Sequence, residues 1–115
     1  MTDTALAGTG IQECIVECDS CHDVCIETIN YCLAMAGPHA EPAHVRLLMD
    51  CAQICHTASD FMLRGSTLYR AVCLVSAEVC EACATSCAEL DGSEMKACAD
   101  ACRRCSEACR AMSGV

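Results

Sequence analysis

The chain has 115 residues and a formal net charge of −9, and 15 of its residues are cysteine. This length suits one domain with a modest core, so we predict a single domain over residues 1–115. The acidic balance excludes a nucleic-acid-binding protein, which needs a basic surface, and it disfavours an anionic membrane as a partner. Large aliphatic residues are few and Trp is absent, so cysteine and alanine are expected to fill much of the core.

Four helices are predicted in chain order, over residues of about 10–36, 42–64, 66–90 and 93–112. Gly37 and Pro38 close the first helix, and Pro42 opens the second, where proline is tolerated in the first turn. Ser66 and Ser93 are expected to cap the third and fourth helices. The three connections are short, which favours antiparallel neighbours. The predicted fold is therefore all-α, an antiparallel up-down-up-down four-helix bundle.

The cysteines recur at helical spacing. The run Cys14–Cys25 has steps of four, three and four, and the run Cys98–Cys109 repeats them. Steps of three and four keep one residue type on one face of an α-helix. His22 and His56 fall off this face and are expected on the surface. We predict one shared lumen lined by every thiol of the chain: Cys14, Cys18, Cys21, Cys25, Cys32, Cys51, Cys55, Cys73, Cys80, Cys83, Cys87, Cys98, Cys102, Cys105 and Cys109.

A disulfide framework is disfavoured by geometry and by compartment. Residues three or four apart on a helix have Cβ atoms about 5–6 Å apart, whereas a disulfide needs about 3.5–4.5 Å. Residues 1–10 show no secretory signal, and no apolar run approaches the length of a membrane span. The protein is therefore predicted to be cytoplasmic, where clustered cysteines more often bind metal.

Thiolates favour the soft ions Cu(I) and Zn(II) and iron–sulfur clusters. In ferredoxin-type loops a cysteine is often followed by proline, which is true of no cysteine here. Zinc sites usually gather ligands from loops and turns, whereas the cysteines of this chain lie in predicted helices. One Cu(I) that replaces one thiol proton leaves the core charge unchanged, whereas four thiolates around one Zn(II) leave two negative charges uncompensated. The lumen therefore favours a univalent ion, and ligand counting predicts about one Cu(I) per cysteine, or about 15 ions.

Two alternative functions stay open. A thiol-based redox enzyme or sensor needs a cysteine whose pKa is lowered by a helix N-terminus or a nearby cation. Arg103 and Arg104 lie off the thiol face, and no cysteine stands out as a nucleophile, so we predict that the protein is not an enzyme. The other alternative is a bundle that binds structural Zn(II).

The Cys-x3-Cys-x2-Cys-x3-Cys runs at Cys14–Cys25 and Cys98–Cys109, in a four-helix chain, resemble those of the bacterial copper storage proteins. The resemblance covers about residues 10–112 and points to the cytosolic branch of that family. It implies storage or buffering of many Cu(I) ions between pairs of thiolates in the lumen. It also implies a homo-oligomer, since family members assemble as tetramers of bundles.

One end of the predicted bundle collects neutral ligands. Antiparallel order brings together Met35, His39, His44 and Met95, and the helical period places all but His39 on the lumen face. Thioether and imidazole bind Cu(I) more weakly than thiolate, so these four residues are candidate ligands for copper uptake and release. The resemblance implies the same role, because family members carry His and Met at an open end. The opposite end, around Met62, is expected to be an apolar plug.

Overall fold

The computed structural model describes residues 2–114, with side chains from residue 10 onward, so residues 1 and 115 of the predicted domain lie outside it. Four helices and one short 3₁₀ helix follow in the order α1 (Thr2–Met35), 3₁₀ helix (Gly37–Ala40), α2 (Pro42–Leu63), α3 (Tyr69–Ala88) and α4 (Ser93–Ser113). Each α-helix packs against its sequence neighbours, and α4 closes the bundle against α1. The predicted all-α four-helix bundle is confirmed.

The helix boundaries differ from the predicted ones at several ends. α1 begins at Thr2, about eight residues before the expected start. It ends where expected, because Ala36 and Gly37 both have positive φ and Pro38 follows. α3 begins three residues late, at Tyr69. The Ser66 hydroxyl accepts a hydrogen bond from the backbone N–H of Leu68, which makes a local turn rather than the predicted helix cap.

The start of α4 also differs from the prediction. Gly92, with φ of 120°, is the N-cap, and Ser93 lies inside the helix with its hydroxyl donating to Glu94 Oε1. The predicted Ser93 cap is therefore wrong. A Cβ at position 92 would lie 3.2 Å from the Tyr31 hydroxyl oxygen. Both the positive φ and this close approach favour glycine.

Small side chains bring the helices close together. The buried alanines lie beside the cysteines on all of α2, α3 and α4, and include Ala52, Ala58, Ala77, Ala84 and Ala99. Leu48 and Met95 are the largest fully buried side chains. The bundle is consequently narrow, measuring 53 × 21 × 21 Å. Its core is built mainly from sulfur and methyl groups rather than from large aliphatic side chains.

Within residues 2–114, α3 is long and apolar enough by length and composition to cross a membrane. The expectation that no such run exists is therefore wrong. The cysteines of α3 account for part of this apolar character, and all four of them are buried inside the bundle. A buried core helix of a soluble protein passes the same test, so this helix carries little weight as a membrane span.

Candidate metal centre

All fifteen cysteine side chains are fully buried, with none of their surface exposed, and all are free thiols. They come from all four helices and face one lumen, so the predicted thiol-lined interior is confirmed. The burial follows from the three-and-four spacing, which turns each thiol face toward the other three helices. No cysteine is accessible at the surface.

Eleven of the fifteen thiols form four groups, in each of which the sulfurs lie within 4.8 Å of one another, and Cys32, Cys83, Cys87 and Cys98 lie outside these groups. The groups share members, with Cys21, Cys105 and Cys109 each belonging to two of them. In order along the lumen they are Cys21, Cys25, Cys51 and Cys102; Cys21, Cys55, Cys80 and Cys105; Cys18, Cys105 and Cys109; and Cys14, Cys73 and Cys109. The shared sulfurs join the groups into one continuous chain.

Distances between neighbouring sulfurs match what metal coordination requires. Cys18 Sγ lies 3.5 Å from Cys109 Sγ, and Cys21 Sγ lies 3.7 Å from Cys51 Sγ and 3.8 Å from Cys102 Sγ. A metal–thiolate bond of about 2.3 Å separates two opposed sulfurs by about 4.6 Å and three trigonal sulfurs by about 4.0 Å. Metal binding therefore needs sulfur shifts of less than about 1 Å.

The lumen holds no compensating cation. Among the described side chains, no Lys, Arg, Asp or Glu is buried, and the six ion pairs all involve partly exposed side chains. Deprotonated thiols in such an interior carry a large desolvation penalty. The charge that metal binding adds to the lumen therefore decides which ion suits it.

Most of the thiols hold their protons in the metal-free protein. Burial raises the pKa of Cys32, and repulsion from Cys98 and Cys83 adds to the effect. The pKa is also raised at Cys25 and Cys51, first because each shares a proton with Cys102 and then by burial. In all, ten thiols have a raised pKa. The other five have a lowered pKa because hydrogen bonds with neighbouring thiols stabilise their ionised form.

At one end of the lumen, His44 and Met95 are buried on the lumen face as predicted, and both contact the thiol of Cys32. His44 is buried in the first turn of α2, with its Nε2 3.5 Å from Cys32 Sγ. Met95 is fully buried in α4, and its Sδ lies 3.7 Å from the same sulfur. The His44 Nδ1 atom lies 2.7 Å from the hydroxyl oxygen of Ser86 on α3. The structure thus brings imidazole, thioether and thiol together at one point.

Met35 and His39 do not join this group. Met35 is 51% exposed in the last turn of α1, so its predicted position on the lumen face is wrong. His39 Nε2 lies 3.1 Å from the backbone oxygen of Asp91, to which an N–H at that position donates, and its ring meets Tyr31 edge-on. His39 therefore ties the 3₁₀ helix to the loop before α4.

Ser86 is a site residue that the sequence analysis missed. Its hydroxyl contacts the nitrogen of His44 that faces away from Cys32. A partner on one imidazole nitrogen fixes the tautomer and the orientation of the ring, and so prepares the other nitrogen as a ligand. The signal in the sequence was weak, because Ser86 only follows Cys83 by a helical step of three.

The opposite end also carries a sulfur ligand. Met62 is buried in α2, and its Sδ accepts a hydrogen bond from the Cys73 thiol at 3.8 Å. Ser76 occupies a lumen position where a thiol fits the period, and its hydroxyl oxygen lies 3.4 Å from Cys109 Sγ. The expected plug around Met62 is therefore continuous with the thiol chain.

A helical bundle in which buried thiols follow one another along the lumen, with no buried Lys or Arg among the described side chains, defines a protein that binds soft metal ions. The family model described as copper storage protein (Csp) matches residues 7–114. The chain belongs to the copper storage protein family.

Solved structures agree with this membership. The Nmul_A1745 protein from Nitrosospira multiformis is 45% identical with a TM-score of 0.90, covering 93% of this chain and 97% of that one. The Cu(I)-bound copper storage protein BsCsp3 is 35% identical with a TM-score of 0.86, covering 90% and 98%. A cytosolic copper storage protein from Streptomyces lividans, with five coppers, is 28% identical with a TM-score of 0.84, covering 96% and 98%.

Proposed function

We propose that the protein stores Cu(I) in its lumen, bound by the fifteen cysteine thiolates at about one ion per cysteine. The observation that carries this proposal is the sharing of Cys21, Cys105 and Cys109 between sulfur groups. A sulfur that belongs to two groups bridges two ions, so the groups act as one cluster rather than as separate sites. Family membership and the Cu(I)-bound relative support the same ion.

Charge favours Cu(I) over the structural zinc alternative. Each Cu(I) that displaces one thiol proton leaves the charge of the lumen unchanged, whereas a Zn(II) bound by four thiolates adds net negative charge with no buried cation among the described side chains. The redox alternative requires an accessible thiol, and every thiol here is fully buried. We therefore propose a storage protein without catalytic activity.

Titration of the reduced protein with Cu(I), in the presence of a competing chelator and without oxygen, tests the storage proposal. We expect saturation at about 15 ions per chain, with charge-transfer absorption from thiolate to copper, because each sulfur bridges two ions. Saturation at three or four ions, or stoichiometric zinc in protein purified under reducing conditions, would contradict the proposal.

We further propose that copper enters and leaves at the end that holds His44, Met95 and Cys32. A gap of about 280 Å³ lies between the start of α2 and the end of α3, and His44 and Ser86 line it together with Glu41 and Glu89. The gap leads from solvent to His44, whose other nitrogen faces the first thiol. Neutral imidazole and thioether ligands then pass Cu(I) to thiolates that bind it more tightly.

The variant His44→Ala is expected to slow both Cu(I) loading and chelator-driven removal, while leaving the capacity within about one ion of the wild type. Ser86→Ala is expected to slow loading by about tenfold, because it frees the His44 ring from its partner. Stopped-flow absorbance measures these rates. Met35→Leu is the matched control, because the exposed Met35 thioether lies off the lumen, and its rates should equal those of the wild type. Unchanged rates in His44→Ala would contradict uptake at this end.

We also propose that the chain forms a cytoplasmic homo-oligomer, a tetramer by family resemblance. The apolar residues that support an interface include Ile26, Leu33 and Met49, which are each about half exposed along one groove between α1 and α2. The Streptomyces lividans relative, described as cytosolic, supports the location.

A further inference from the structure

Two histidines lie close together on the outside of the bundle, away from the thiol lumen. His22 lies on α1 and His56 on α2, and their ring centroids are 5.5 Å apart with an angle of 41° between the planes. Their side chains are 34% and 61% exposed. Storage of copper by the buried thiols uses neither residue, so the pair requires its own explanation.

Each of the two imidazoles lies beside a carboxylate on its own helix. His22 Nδ1 lies 2.9 Å from Asp23 Oδ1, and His56 Nε2 lies 3.5 Å from Asp60 Oδ2. This arrangement leaves Nε2 of His22 and Nδ1 of His56 as the nitrogens available to a ligand. Imidazoles that bind metal ions commonly have a carboxylate on the other nitrogen, which fixes the tautomer and makes the ligand more basic.

The distance between the rings fits a shared ion. With metal–nitrogen bonds of about 2.0–2.1 Å, two imidazoles at a tetrahedral angle on one ion have ring centroids about 5 Å apart. The observed distance between the ring centroids is 5.5 Å. A small rotation of either side chain is enough to bring the rings to the distance that a shared ion requires. Because one histidine comes from each helix, an ion bound by both rings links α1 to α2.

The surroundings favour a divalent cation over Cu(I). Imidazole and carboxylate suit ions of borderline character, whereas thiolates select Cu(I). Asp23 and Asp60 lie beside the rings, and the whole chain carries a formal net charge of −9, which attracts cations. The histidines also line the apolar groove between α1 and α2 that is proposed above as a subunit interface, so part of their environment excludes water in the oligomer.

We propose that His22 and His56 form a second metal site, on the surface between α1 and α2, for a divalent ion such as Ni(II), Zn(II) or Cu(II). Asp23 and Asp60 position the imidazoles, and water completes the coordination. The site is separate from the lumen in position, in ligand chemistry and in the ion that it selects. Its occupation holds the two helices together from outside, whether the lumen is empty or full.

Calorimetric titration with Ni(II) tests the site in the assembled protein, after Cu(I) has been added to fill the lumen. The wild type is compared with His22→Gln, His56→Gln and the double variant under identical conditions. Any ions bound by thiols are common to all four proteins, so the difference between wild type and double variant measures this site alone. We expect one Ni(II) fewer per chain in the double variant and an affinity at least tenfold weaker in each single variant.

His39→Gln serves as the matched control, because this histidine is partly exposed but lies at the end of the bundle with a backbone partner. It should bind Ni(II) as the wild type does. Helical circular dichroism checks that each variant folds, and Ni(II) should raise the melting temperature of the wild type but not of the double variant. Equal stoichiometry and equal melting shifts in wild type and double variant would overturn the proposal, whatever the copper capacity proves to be.

Discussion

The metal-free protein is expected to unfold between about pH 9 and pH 10, a range in which most proteins of this size stay folded. An unfolded cysteine has a pKa of about 8.5, whereas ten thiols in the folded lumen have a raised pKa. The folded state therefore binds more protons than the unfolded state above that pH. A group with a raised pKa contributes stability below its unfolded pKa and loses it as the pH rises toward the folded pKa.

The size of this effect follows from the number of thiols. Each thiol that keeps its proton in the folded state costs about 1.4 kcal/mol of unfolding free energy per pH unit above the unfolded pKa, so ten cost at most about 14 kcal/mol per unit. A domain is typically stable by about 5–15 kcal/mol, and a loss of this order is comparable with that stability within about one unit. The five thiols with a lowered pKa are ionised in the folded and the unfolded state at this pH. They therefore do not change how the unfolding free energy varies with pH.

Circular dichroism at 222 nm, recorded against pH under reducing and anaerobic conditions, measures this transition. The Cu(I)-loaded protein is the control, because its thiols have already lost their protons to the metal, and it should stay helical to higher pH. A metal-free protein that keeps its helices well above pH 10 would show that the lumen thiols ionise inside the folded bundle.

Leu48→Ala is expected to destabilise the metal-free protein by about 2–5 kcal/mol, at the upper part of that range. Leu48 is one of the two largest side chains that are fully buried. The buried residues of the core are mainly cysteine and alanine, whose short side chains cannot extend to fill the space left behind. The resulting cavity therefore keeps most of its volume, and the cost of a cavity grows with that volume.

Urea unfolding of the two metal-free proteins at neutral pH measures the difference in free energy. Leu63→Ala is the matched control, because Leu63 lies on the same helix with 65% of its surface exposed, and it should change stability by less than about 0.5 kcal/mol. A cost below about 1 kcal/mol for Leu48→Ala would mean that the helices move together to close the cavity.

The sequence predicted the lumen well because one period controls it. A residue type that recurs at steps of three and four residues marks one face of a helix, whatever residues lie between. The fifteen cysteines between Cys14 and Cys109 are all buried, as this spacing predicted. The same period failed at Met35. Cys32 follows Cys25 by seven residues, which leaves it about 20° away from Cys25 around the helix axis. Met35 follows three residues later and lies about 80° away from Cys25 around the same axis. At the end of α1, that angle leaves the side chain in solvent.

The helical period does not show which residues of different helices meet, because those pairings depend on how the helices pack. Ser86 and His44 are 42 positions apart and meet because α2 and α3 run antiparallel. The pairing of His22 with His56 depends in the same way on the register of α1 against α2. Sequence analysis placed both histidines on the surface, but the distance between them needed the packed bundle.

The narrow bundle, 53 Å long and 21 Å wide, orders the stored ions in one dimension. Sulfur groups that follow one another along such a column exchange ions only with the groups next to them, so the last ions bound are expected to be the first released. With release at the proposed exit, the rate is expected to depend on the layer beside His44 and Met95 rather than on the total content. A nearly empty and a nearly full protein would differ in how much copper they hold and in which layer holds it, and therefore in how readily they give it up.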